Sequence, residues 1–560
     1  MQHIVSFISK ELQNRQLDRP CSICSGKPCN SCTSRDQLAA EIQDTQEQLA
    51  EIDRTLSRLL TQHLELISQA NQTHCALILG LPLEISSYIF ELCIPALCGN
   101  APDSLFSVQS QALNLGAVCK GWRRIALSTP RLYTVLPICL GTPRLLGHAG
   151  VIETWLHRSK GLPLSIYLYD SKTNYLGEKK GDFEAVETYR LVASIADLLK
   201  KHTYRWKLLD VSVPAKFLPV INAAEATSPV FHTLRLCTPG GDHSSPSKYR
   251  LSNFKPVHLT LESVAFDDLF INVSNITHAD LRRMQISACL QFLQQAPALT
   301  CFKLSDIEDS QLGPFTTAST TAFIVHPILR EFEYENPEDD LEHETLFDRI
   351  SFPALEKLSI SLQGGSLPTD TLSSFFARST SRIKELHIRD CWLDNSSFPR
   401  FLGKLPTLTD LHVIMQQNEY DSFSPEELFL TLAKSGEPDR VIDEPTGIKT
   451  IRHVFLPNLK FFKYTANIQA EVDFPWASVP NIFGPPSAWF SPLCRPLTCF
   501  HLEFPRGPIF FPVEMDIDVI PSLLALRNGG IHLTIERNGV DIFENLRTWP
   551  DNAYTGCRPQ

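Results

Sequence analysis

The amino-acid sequence predicts a mixed α/β fold made of a long N-terminal helix, a small all-α module and a solenoid of repeated strands and helices. Three observations support this prediction: a heptad pattern of apolar residues, two short amphipathic fragments, and a leucine-rich phrase that recurs through the rest of the chain. The predicted segments are a cysteine-bearing tail, the long helix, the all-α module, the solenoid and a C-terminal tail, at residues 1–36, 37–76, 78–136, 150–545 and 546–560.

The overall composition is that of an ordinary globular protein, with 43% hydrophobic and 20% charged residues. A formal net charge of -11, without any block of lysines and arginines, argues against nucleic acid or an anionic membrane as the main partner. The chain begins without the basic and apolar regions of a signal peptide, and no run approaches the roughly 18 apolar residues that a membrane span needs. We therefore expect a cytoplasmic or nuclear protein whose cysteines are reduced.

The tail contains a compact cysteine cluster with the spacing C-x2-C-x4-C-x2-C, at Cys21, Cys24, Cys29 and Cys32. Four thiolates in two pairs satisfy the tetrahedral coordination of zinc. Structural zinc sites usually separate the two pairs by many more than four residues, so the short gap favours a reduced, flexible tail without metal. Zinc at this cluster is the one cofactor that the sequence raises, and we expect no other.

The long helix follows from apolar residues that recur in alternating steps of four and three, and no glycine or proline interrupts residues 33–79. Flanking positions carry mostly Gln, Thr and Ala, so the sequence does not specify a partner by charge. Two interpretations stay open, namely self-association through residues 37–76 and packing of the helix along its own solenoid. The predicted seam consists of Leu38, Ile42, Thr45, Leu49, Ile52, Leu56, Leu59, His63, Leu66, Ala70 and Thr73.

The all-α module is predicted from two fragments, LPLEISSYIFELC at 81–93 and LGAVCKGWRRIA at 115–126. In the first, Ile85, Ile89 and Leu92 share one helical face. In the second, Leu115, Val118 and Trp122 lie on one predicted helical stripe, with the basic residues directed away. Two helices this short cannot bury one another fully, which indicates either a third layer or a partner protein.

The same fragments resemble the F-box, whose usual pattern is LPxE(I/L)xxxIF, then VCKxWRxLA, then a Leu-Trp pair. The resemblance implies a substrate receptor of a cullin-RING ubiquitin ligase that docks on a Skp-type adaptor and is not itself the catalyst. Two departures are a connector between Cys93 and Leu113 that is longer than usual and Tyr133 in place of Trp. The implied adaptor-binding residues are Leu81, Pro82, Ile85, Ile89, Phe90, Val118, Cys119, Trp122 and Leu132.

The solenoid is predicted from eleven phrases of the form L-x-x-L-x-L, from WKLLDV at Trp206 to LTCFHL at Leu497. The first nine begin 22 to 30 residues apart, which is close to the period of leucine-rich repeats. Helical pieces such as residues 289–296 and 371–379 lie between them. The segment WLHRSKGLPLSIYL at 155–168 resembles a phrase that follows the F-box in fungal proteins of this build, of the type common in basidiomycetes, and predicts a helix followed by the first strand.

Variable positions of the phrases are free of packing and line the concave face of a solenoid. Their mixture of charged and polar residues favours an unknown protein target over a small apolar ligand. We interpret His387 and His412 as stacked surface histidines, since no third metal ligand accompanies them. The candidate target-binding residues are Lys303, Glu333, Lys357, Ser359, His387 and His412.

Two insertions interrupt the repeats. The gap between Leu408 and Leu459 predicts an excursion loop with a short helix near residues 425–433, and such loops often carry binding. The aromatic residues of the proline-rich segment at 474–492 are expected to pack on the last repeats, with ligand contact as the alternative.

No nucleotide-binding, zinc-protease or hydrolase motif is present in the sequence, so we do not expect an enzyme. Two functional hypotheses follow. The chain is either the substrate receptor of a ubiquitin ligase, or a repeat scaffold that oligomerises through its N-terminal helix and uses the F-box-like helices only to cap the solenoid. Exposure of Leu81, Pro82, Ile85 and Phe90 favours the receptor, and their burial favours the scaffold.

Overall fold

A computed structural model of the chain describes most of its residues. The described ranges are 30–74, 80–94, 102–140, 145–169, 182–221, 228–239, 249–251, 253–264, 266, 269–307, 323–336, 342–380, 382–415, 425–435, 439–442, 449–452, 455–465, 474–486, 489, 495–504, 517–537 and 539–543. The chain forms two compact units, the first from residues 1–99 and 110–129 and the second from residues 100–109 and 130–560.

The first unit contains the predicted N-terminal helix, α1, which runs from Asn30 to His74. It begins seven residues before the predicted boundary at residue 37, so that part of the predicted tail is helical. Leu38, Ile52, Leu59 and Leu66 of the predicted seam are more than half exposed, whereas Ile42 is half-buried. The structure therefore confirms the long N-terminal helix, and it leaves much of the apolar seam exposed.

The F-box-like fragments form helices α2 (Leu83–Leu92) and α4 (Lys120–Ser128), and the long connector between them forms helix α3 (Pro102–Ala117). The single helical stripe predicted over 115–126 is wrong. The chain leaves the helix before Cys119, whose backbone is extended at φ -157°. The Cys119 Sγ atom accepts a hydrogen bond from the backbone N–H of Trp122 at 3.4 Å, so this side chain caps the start of α4.

The second unit is built on one sheet of fifteen strands. Each strand pairs with the next strand of this sheet along the chain. These pairs are parallel except for the last one, in which a two-residue strand is antiparallel to its neighbour. The strands are β1 (Val135–Cys139), β2 (Leu164–Tyr169), β3 (Trp206–Ser212), β4 (Thr233–Cys237), β5 (His258–Glu262), β6 (His278–Arg282), β7 (Cys301–Ser305), β8 (Glu331–Glu335), β9 (Lys357–Ser361), β10 (Glu385–Arg389), β11 (Asp410–Ile414), β12 (Phe461–Thr465), β13 (Cys499–Phe504), β14 (His532–Arg537) and β15 (Val540–Asp541).

Helices connect many of these strands, as parallel pairing requires a crossover. They are α5 (Leu145–Arg158), α6 (Asp182–Lys200), α7 (Ile286–Gln295), α8 (Glu342–Arg349), α9 (Thr369–Ser379), α10 (Ser397–Gly403), α11 (Glu426–Lys434), α12 (Ser478–Asn481) and α13 (Ile520–Asn528). Three pairs of short strands lie apart from the main sheet: Tyr249–Leu251 with Leu269–Ile271, Ile324–Val325 with Ile350–Ser351, and Asp439–Ile442 with Lys449–Arg452. Within the described ranges, no helix combines the length and the apolar character needed to cross a membrane.

All eleven leucine-rich phrases supply a strand of the main sheet, from β3 to β13. The segment at 155–168 forms the end of α5 and then β2, but its strand is the second and not the first. The structure adds β1, which contains Pro137, before it. The mixed α/β prediction is thus confirmed, as are the helices predicted within 289–296, 371–379 and 425–433.

The core lies on one side of the sheet, because the consensus apolar residues of each phrase alternate with variable ones. On β7, Phe302 and Leu304 are fully buried while Lys303 is only half-buried. Phe302 stacks between Phe292 of α7 and Phe332 of β8, with ring centroids 6.1 and 5.8 Å away. Phe474, Trp476 and Phe483 of the proline-rich insertion are buried in the same core, as predicted, whereas Trp489 is half-buried.

Several strands are followed directly by a residue with left-handed backbone geometry. Ser263, Arg283, Asp306 and Asp390 each follow the last residue of a strand and have φ between 50° and 55°. The N–H of each donates to a carbonyl of the next strand, as from Asp306 to Glu335 at 2.9 Å. This repeated turn continues the backbone pairing beyond the strand ends and keeps successive strands in register.

Two buried arginines hold helix ends in place. The guanidinium of Arg205 donates to the backbone carbonyl of Leu156 and to the hydroxyl of Ser159, at the C-terminal end of α5. Arg495 donates to backbone carbonyls of Leu432, Phe455, Leu456 and Ile482 and to the hydroxyl of Ser435. Cations at helix C-termini satisfy carbonyls that have no partner within the helix.

Candidate functional site

The F-box-like helices expose apolar side chains that a folded protein normally covers. Leu81 is 37% exposed, Ile85 48% and Val118 52%, and Pro82 is exposed as well. We call these four residues the apolar patch. Further exposed apolar residues on α2 are Leu83, Tyr88 and Leu92.

Three of the predicted adaptor-binding residues are buried instead. Phe90 is 1% exposed because its ring packs on Trp122, with the ring centroids 5.1 Å apart. Cys119 is buried where it caps α4, and Leu132 is buried in the short helix Pro130–Tyr133. These side chains support the helices and are not available for contact in this conformation. The remaining two, Ile89 and Trp122, are half-buried.

The helices are also joined by a polar contact. The hydroxyl of Thr129, which follows α4, is hydrogen-bonded to the hydroxyl of Ser87 on α2 at 2.9 Å. Thr129 is itself buried and donates its hydroxyl proton to the backbone carbonyl of Ile125 at 2.8 Å, so it accepts from Ser87. With the Phe90–Trp122 pair, this contact fixes α2 against α4 and so leaves the apolar patch facing outward.

The second candidate site is the side of the sheet opposite the core, which we call the polar face. Strand register places the predicted residues Lys303, Glu333, Ser359, His387 and His412 directly beside one another. From β3 to β14 this row, here called the middle row, consists of Asp210, Arg235, Thr260, Asp280, Lys303, Glu333, Ser359, His387, His412, Lys463, His501 and Thr534.

Lys357 lies on a different row from the other predicted residues. It belongs to the first row of the polar face, two residues earlier on each strand. That row consists of His258, His278, Cys301, Glu331, Lys357, Glu385, Asp410, Phe461, Cys499 and His532. The predicted residues are thus brought together on one surface, in two adjacent rows.

Most charges of the polar face are paired within the face. Lys303 Nζ lies 3.0 Å from a carboxylate oxygen of Glu333, and Arg389 contacts the same carboxylate at 2.9 Å. The carboxylate of Glu333 consequently has a lowered pKa, although its partial burial acts in the opposite direction. Such half-exposed pairs contribute little to stability, but they fix the side-chain positions.

Two further lysines are paired in the same way. Lys357 lies 3.3 Å from Glu385, and Lys463 lies 2.8 Å from Glu503. Together with Lys303 and Arg389, they account for the cations that surround the two predicted histidines.

The two histidines form a neutral centre between these ion pairs. The imidazole rings of His387 and His412 lie 4.0 Å apart, and His412 stacks on Phe461 at 4.8 Å with an interplanar angle of 22°. Burial, assisted by the charges of Lys357 and Arg389, lowers the pKa of His387 to about 4. Burial and the neighbouring His387 lower the pKa of His412 to about 4 as well. Both rings are therefore neutral at pH 7.

A half-buried ion network includes Asp210 and Arg235 of the middle row and Glu262 beside it. Arg235 lies between two carboxylates, 4.0 Å from Asp210 and 3.7 Å from Glu262. Burial raises the pKa of Asp210 to about 6, even though Arg235 acts to lower it. The sequence analysis did not single out these residues, although Asp210 and Arg235 occupy the same variable position of their phrases as Lys303.

Sequence analysis also missed Asp410 and Phe461, which flank the histidine pair on the first row. Both are half-buried, and strand register places them directly opposite one another. In the sequence, Asp410 and Phe461 occupy the other variable position of the phrases LTDLHV and LKFFKY. This position was the signal that could have identified them. Only the register of β11 with β12 shows that they adjoin His412.

Most of the cysteine cluster that could hold zinc lies outside the described residues. Cys21, Cys24 and Cys29 lie outside the described residues, and Cys32 lies in the first turns of α1. Among the residues that the structure does describe, no three His, Cys, Asp or Glu side chains are grouped to hold a metal ion.

Comparison of the sequence with protein-family models and with curated proteins gives no match. The functional argument therefore depends on the two surfaces themselves. One is apolar and outward-facing on small helices, and the other is polar and runs across a rigid sheet.

Proposed function

We propose that the chain is the substrate-recognition subunit of a cullin-RING ubiquitin ligase, and that it has no catalytic role of its own. The apolar patch docks on a Skp-type adaptor, which connects the chain to a cullin. The polar face binds the protein target. The sequence resemblance to the F-box motivates this proposal, which also makes the chain a member of the F-box proteins with a leucine-rich-repeat-like region and places it in the cytoplasm or nucleus.

The observation that carries the proposal is the exposure of the apolar patch. Leu81, Ile85 and Val118 are between 37% and 52% exposed, although α2 and α4 have an aromatic core of their own. Several exposed apolar side chains on one small folded module are typical of a surface that binds another protein. The patch residues also occupy positions that match the F-box pattern, so the motif and the exposure agree.

The proposed architecture of the second unit is a degenerate leucine-rich-repeat solenoid. Sequential parallel strands, one from each phrase, support this assignment, as does the left-handed turn that follows several strands. In such a solenoid each repeat contacts only its neighbours, and the variable strand positions form a continuous binding surface. The polar face would then present its two rows to a single extended target.

The adaptor-binding test uses the full-length protein and its purified Skp-type adaptor. The variant Leu81→Ser, Ile85→Ser and Val118→Ser removes the patch but spares Trp122, which packs on Phe90. We expect saturable binding by the wild type and a loss of at least about 100-fold in the triple variant, because each buried apolar side chain contributes about 1.5–3 kcal/mol.

A matched control replaces three exposed apolar residues elsewhere, in the variant Val230→Ser, Phe270→Ser and Leu524→Ser. This variant is expected to bind the adaptor like the wild type. Equal binding by both triple variants would exclude the assigned surface, and no binding by the wild type would exclude the receptor role.

The alternative function is a protein-interaction scaffold that oligomerises through α1 and has no role in a ubiquitin ligase. The specific observation in its favour is the uncovered apolar stripe of α1, which includes Ile52, Leu56 and Leu59 at 43% to 59% exposure. Light scattering on the full-length protein tests it. Oligomers that dissociate on Ile52→Asp and Leu59→Asp substitution, together with no adaptor binding, would favour the scaffold.

A further inference from the structure

The first row of the polar face contains a carboxylate without a basic partner. In register, Asp410 lies between Glu385 and Phe461. Glu385 is paired with Lys357 at 3.3 Å. Asp410 accepts a hydrogen bond from the hydroxyl of Thr409 at 2.5 Å, but it forms no ion pair within the described part of the chain. The negative charge of Asp410 is therefore not compensated by an ion pair in the described part of the chain.

Aromatic ring faces adjoin this carboxylate. Asp410 and His412 are two residues apart on β11, so both side chains point to the polar face. Phe461 lies opposite Asp410 on β12, one strand spacing of about 4.8 Å away. The ring of Phe461 stacks on His412, which in turn lies against His387. A carboxylate and the edge of a three-ring stack thus share one half-exposed site.

We propose that this site, formed by Asp410 with the rings of His387, His412 and Phe461, receives a lysine or arginine side chain of the protein target. A cation gains a charge-assisted hydrogen bond from the carboxylate and an electrostatic attraction to the ring faces. The inference rests on the proposed function, in which the polar face binds the target. To the proposed function it adds that the target side chain entering this site is positively charged.

Other groups fit this site less well. An anionic side chain would be repelled by Asp410 and by Glu385. An apolar side chain would desolvate the Asp410 carboxylate without giving it a partner, which is costly. The surrounding cations Lys357, Arg389 and Lys463 are already paired with Glu385, Glu333 and Glu503, so they do not compete for Asp410.

The protonation state of the imidazoles agrees with a cationic ligand. Burial lowers the pKa of both His387 and His412 to about 4. At pH 7 the two rings carry no charge and do not repel an incoming lysine or arginine. They offer a polarisable face instead.

The test uses a phage-displayed library of random twelve-residue peptides, selected on the immobilised full-length protein and counter-selected on its Asp410→Asn variant. We expect the enriched peptides to share one lysine or arginine at a fixed position. For a selected peptide, Asp410→Asn should weaken binding roughly tenfold, and Phe461→Leu should weaken it about threefold. In the Asp410→Asn variant, replacement of the basic peptide residue by Gln should weaken peptide binding little further, because both changes remove the same contact.

Glu331→Gln is the matched control. Glu331 lies on the same row three strands away and also forms no ion pair in the described ranges, but no ring stack adjoins it. Glu331→Gln changes the net charge of the protein by the same amount as Asp410→Asn. It should change peptide affinity less than twofold. Equal losses in Glu331→Gln and Asp410→Asn, enriched peptides without a shared basic residue, or no enriched peptide at all would each overturn the proposal.

Adaptor binding is measured on the same proteins, so that the two proposals fail separately. If the protein binds the adaptor but its peptide binding does not depend on Asp410, the receptor role stands and the cation site is excluded. A protein that selects basic peptides through Asp410 but binds no adaptor keeps the cation site as a property of a scaffold.

Discussion

The rings of Phe90 and Trp122 lie 5.1 Å apart, and this pair divides the F-box-like helices into a core and a surface. Phe90 is fully buried, whereas Ile85, one helical turn and one residue earlier, is 48% exposed. Residues that the sequence motif groups together therefore have different physical roles. Substitutions at the two kinds of position should separate folding from binding.

Replacement of Phe90 by Ala is expected to destabilise α2 and α4 by about 3–5 kcal/mol, since it leaves a cavity beside Trp122. Hydrogen exchange of the α2 and α4 amides measures this effect in the full-length protein. Tyr88→Ala is the control, because Tyr88 is 57% exposed on the same helix. Protection that is unchanged in Phe90→Ala would show that the ring pair does not hold the helices together.

Arg495 should be essential for the stability of the last part of the second unit. Its guanidinium is buried without a carboxylate partner, and burial lowers its pKa to about 10, so it remains charged at pH 7. Arg495→Met leaves several buried carbonyls without donors, and we expect a loss of about 3 kcal/mol or more in local unfolding free energy. Urea-dependent hydrogen exchange of β12 and β13 measures it.

The control for this prediction is Arg400→Met, which removes an exposed arginine of α10. It is expected to change stability by less than about 0.5 kcal/mol. If both arginine variants behave alike, the buried guanidinium makes no special contribution.

The histidine pair should make the protein less stable in mild acid. An unfolded histidine becomes protonated below a pKa of about 6.5, whereas His387 and His412 in the fold do so only at about 4. Between these values the unfolded state binds more protons, so stability falls as pH drops from 6.5 to 4. The His387→Gln and His412→Gln double variant should show a shallower fall in melting temperature over this window. The exposed His157→Gln should follow the wild type.

Asp210 should contribute the opposite dependence of stability on pH. Its pKa is raised to about 6 in the fold, chiefly by burial, so the folded state binds more protons than the unfolded state between pH 4 and 6. This carboxyl therefore makes stability decrease as pH rises through that window. Asp210→Asn is expected to raise the melting temperature at pH 7 relative to the wild type and to change it little at pH 4. Asp197→Asn, at an exposed position of α6, should show no such difference between the two pH values.

Sequence patterns predicted the strands of the sheet well, because a buried Leu at every second position leaves a clear signal. They missed β1, where Pro137 disfavours a strand, and they merged α3 with α4. Apolar spacing around Cys119 fits one helix, and nothing in that spacing shows that a cysteine caps the second one. Helix ends depend on such local hydrogen bonds, which periodicity does not report.

The candidate sites were predictable in part. The variable positions of the phrases identified Lys303, Glu333, His387 and His412, and the structure places these on one row. Asp410 and Phe461 could not be connected from sequence, because 51 residues separate their positions and an excursion lies between them. The burial of Phe90 also depends on how α2 meets α4, which the motif alone does not fix.

The order of strands in the sheet has a kinetic consequence. Successive parallel strands begin only 20 to 51 residues apart, and each pairs with the strand immediately before and after it. Each pairing step therefore closes a loop of limited length, so folding can begin at a local group of strands and extend to their neighbours. The same organisation limits cooperativity: a chain shortened by one strand at its carboxyl end should still assemble the others, and damage should spread only to adjacent strands.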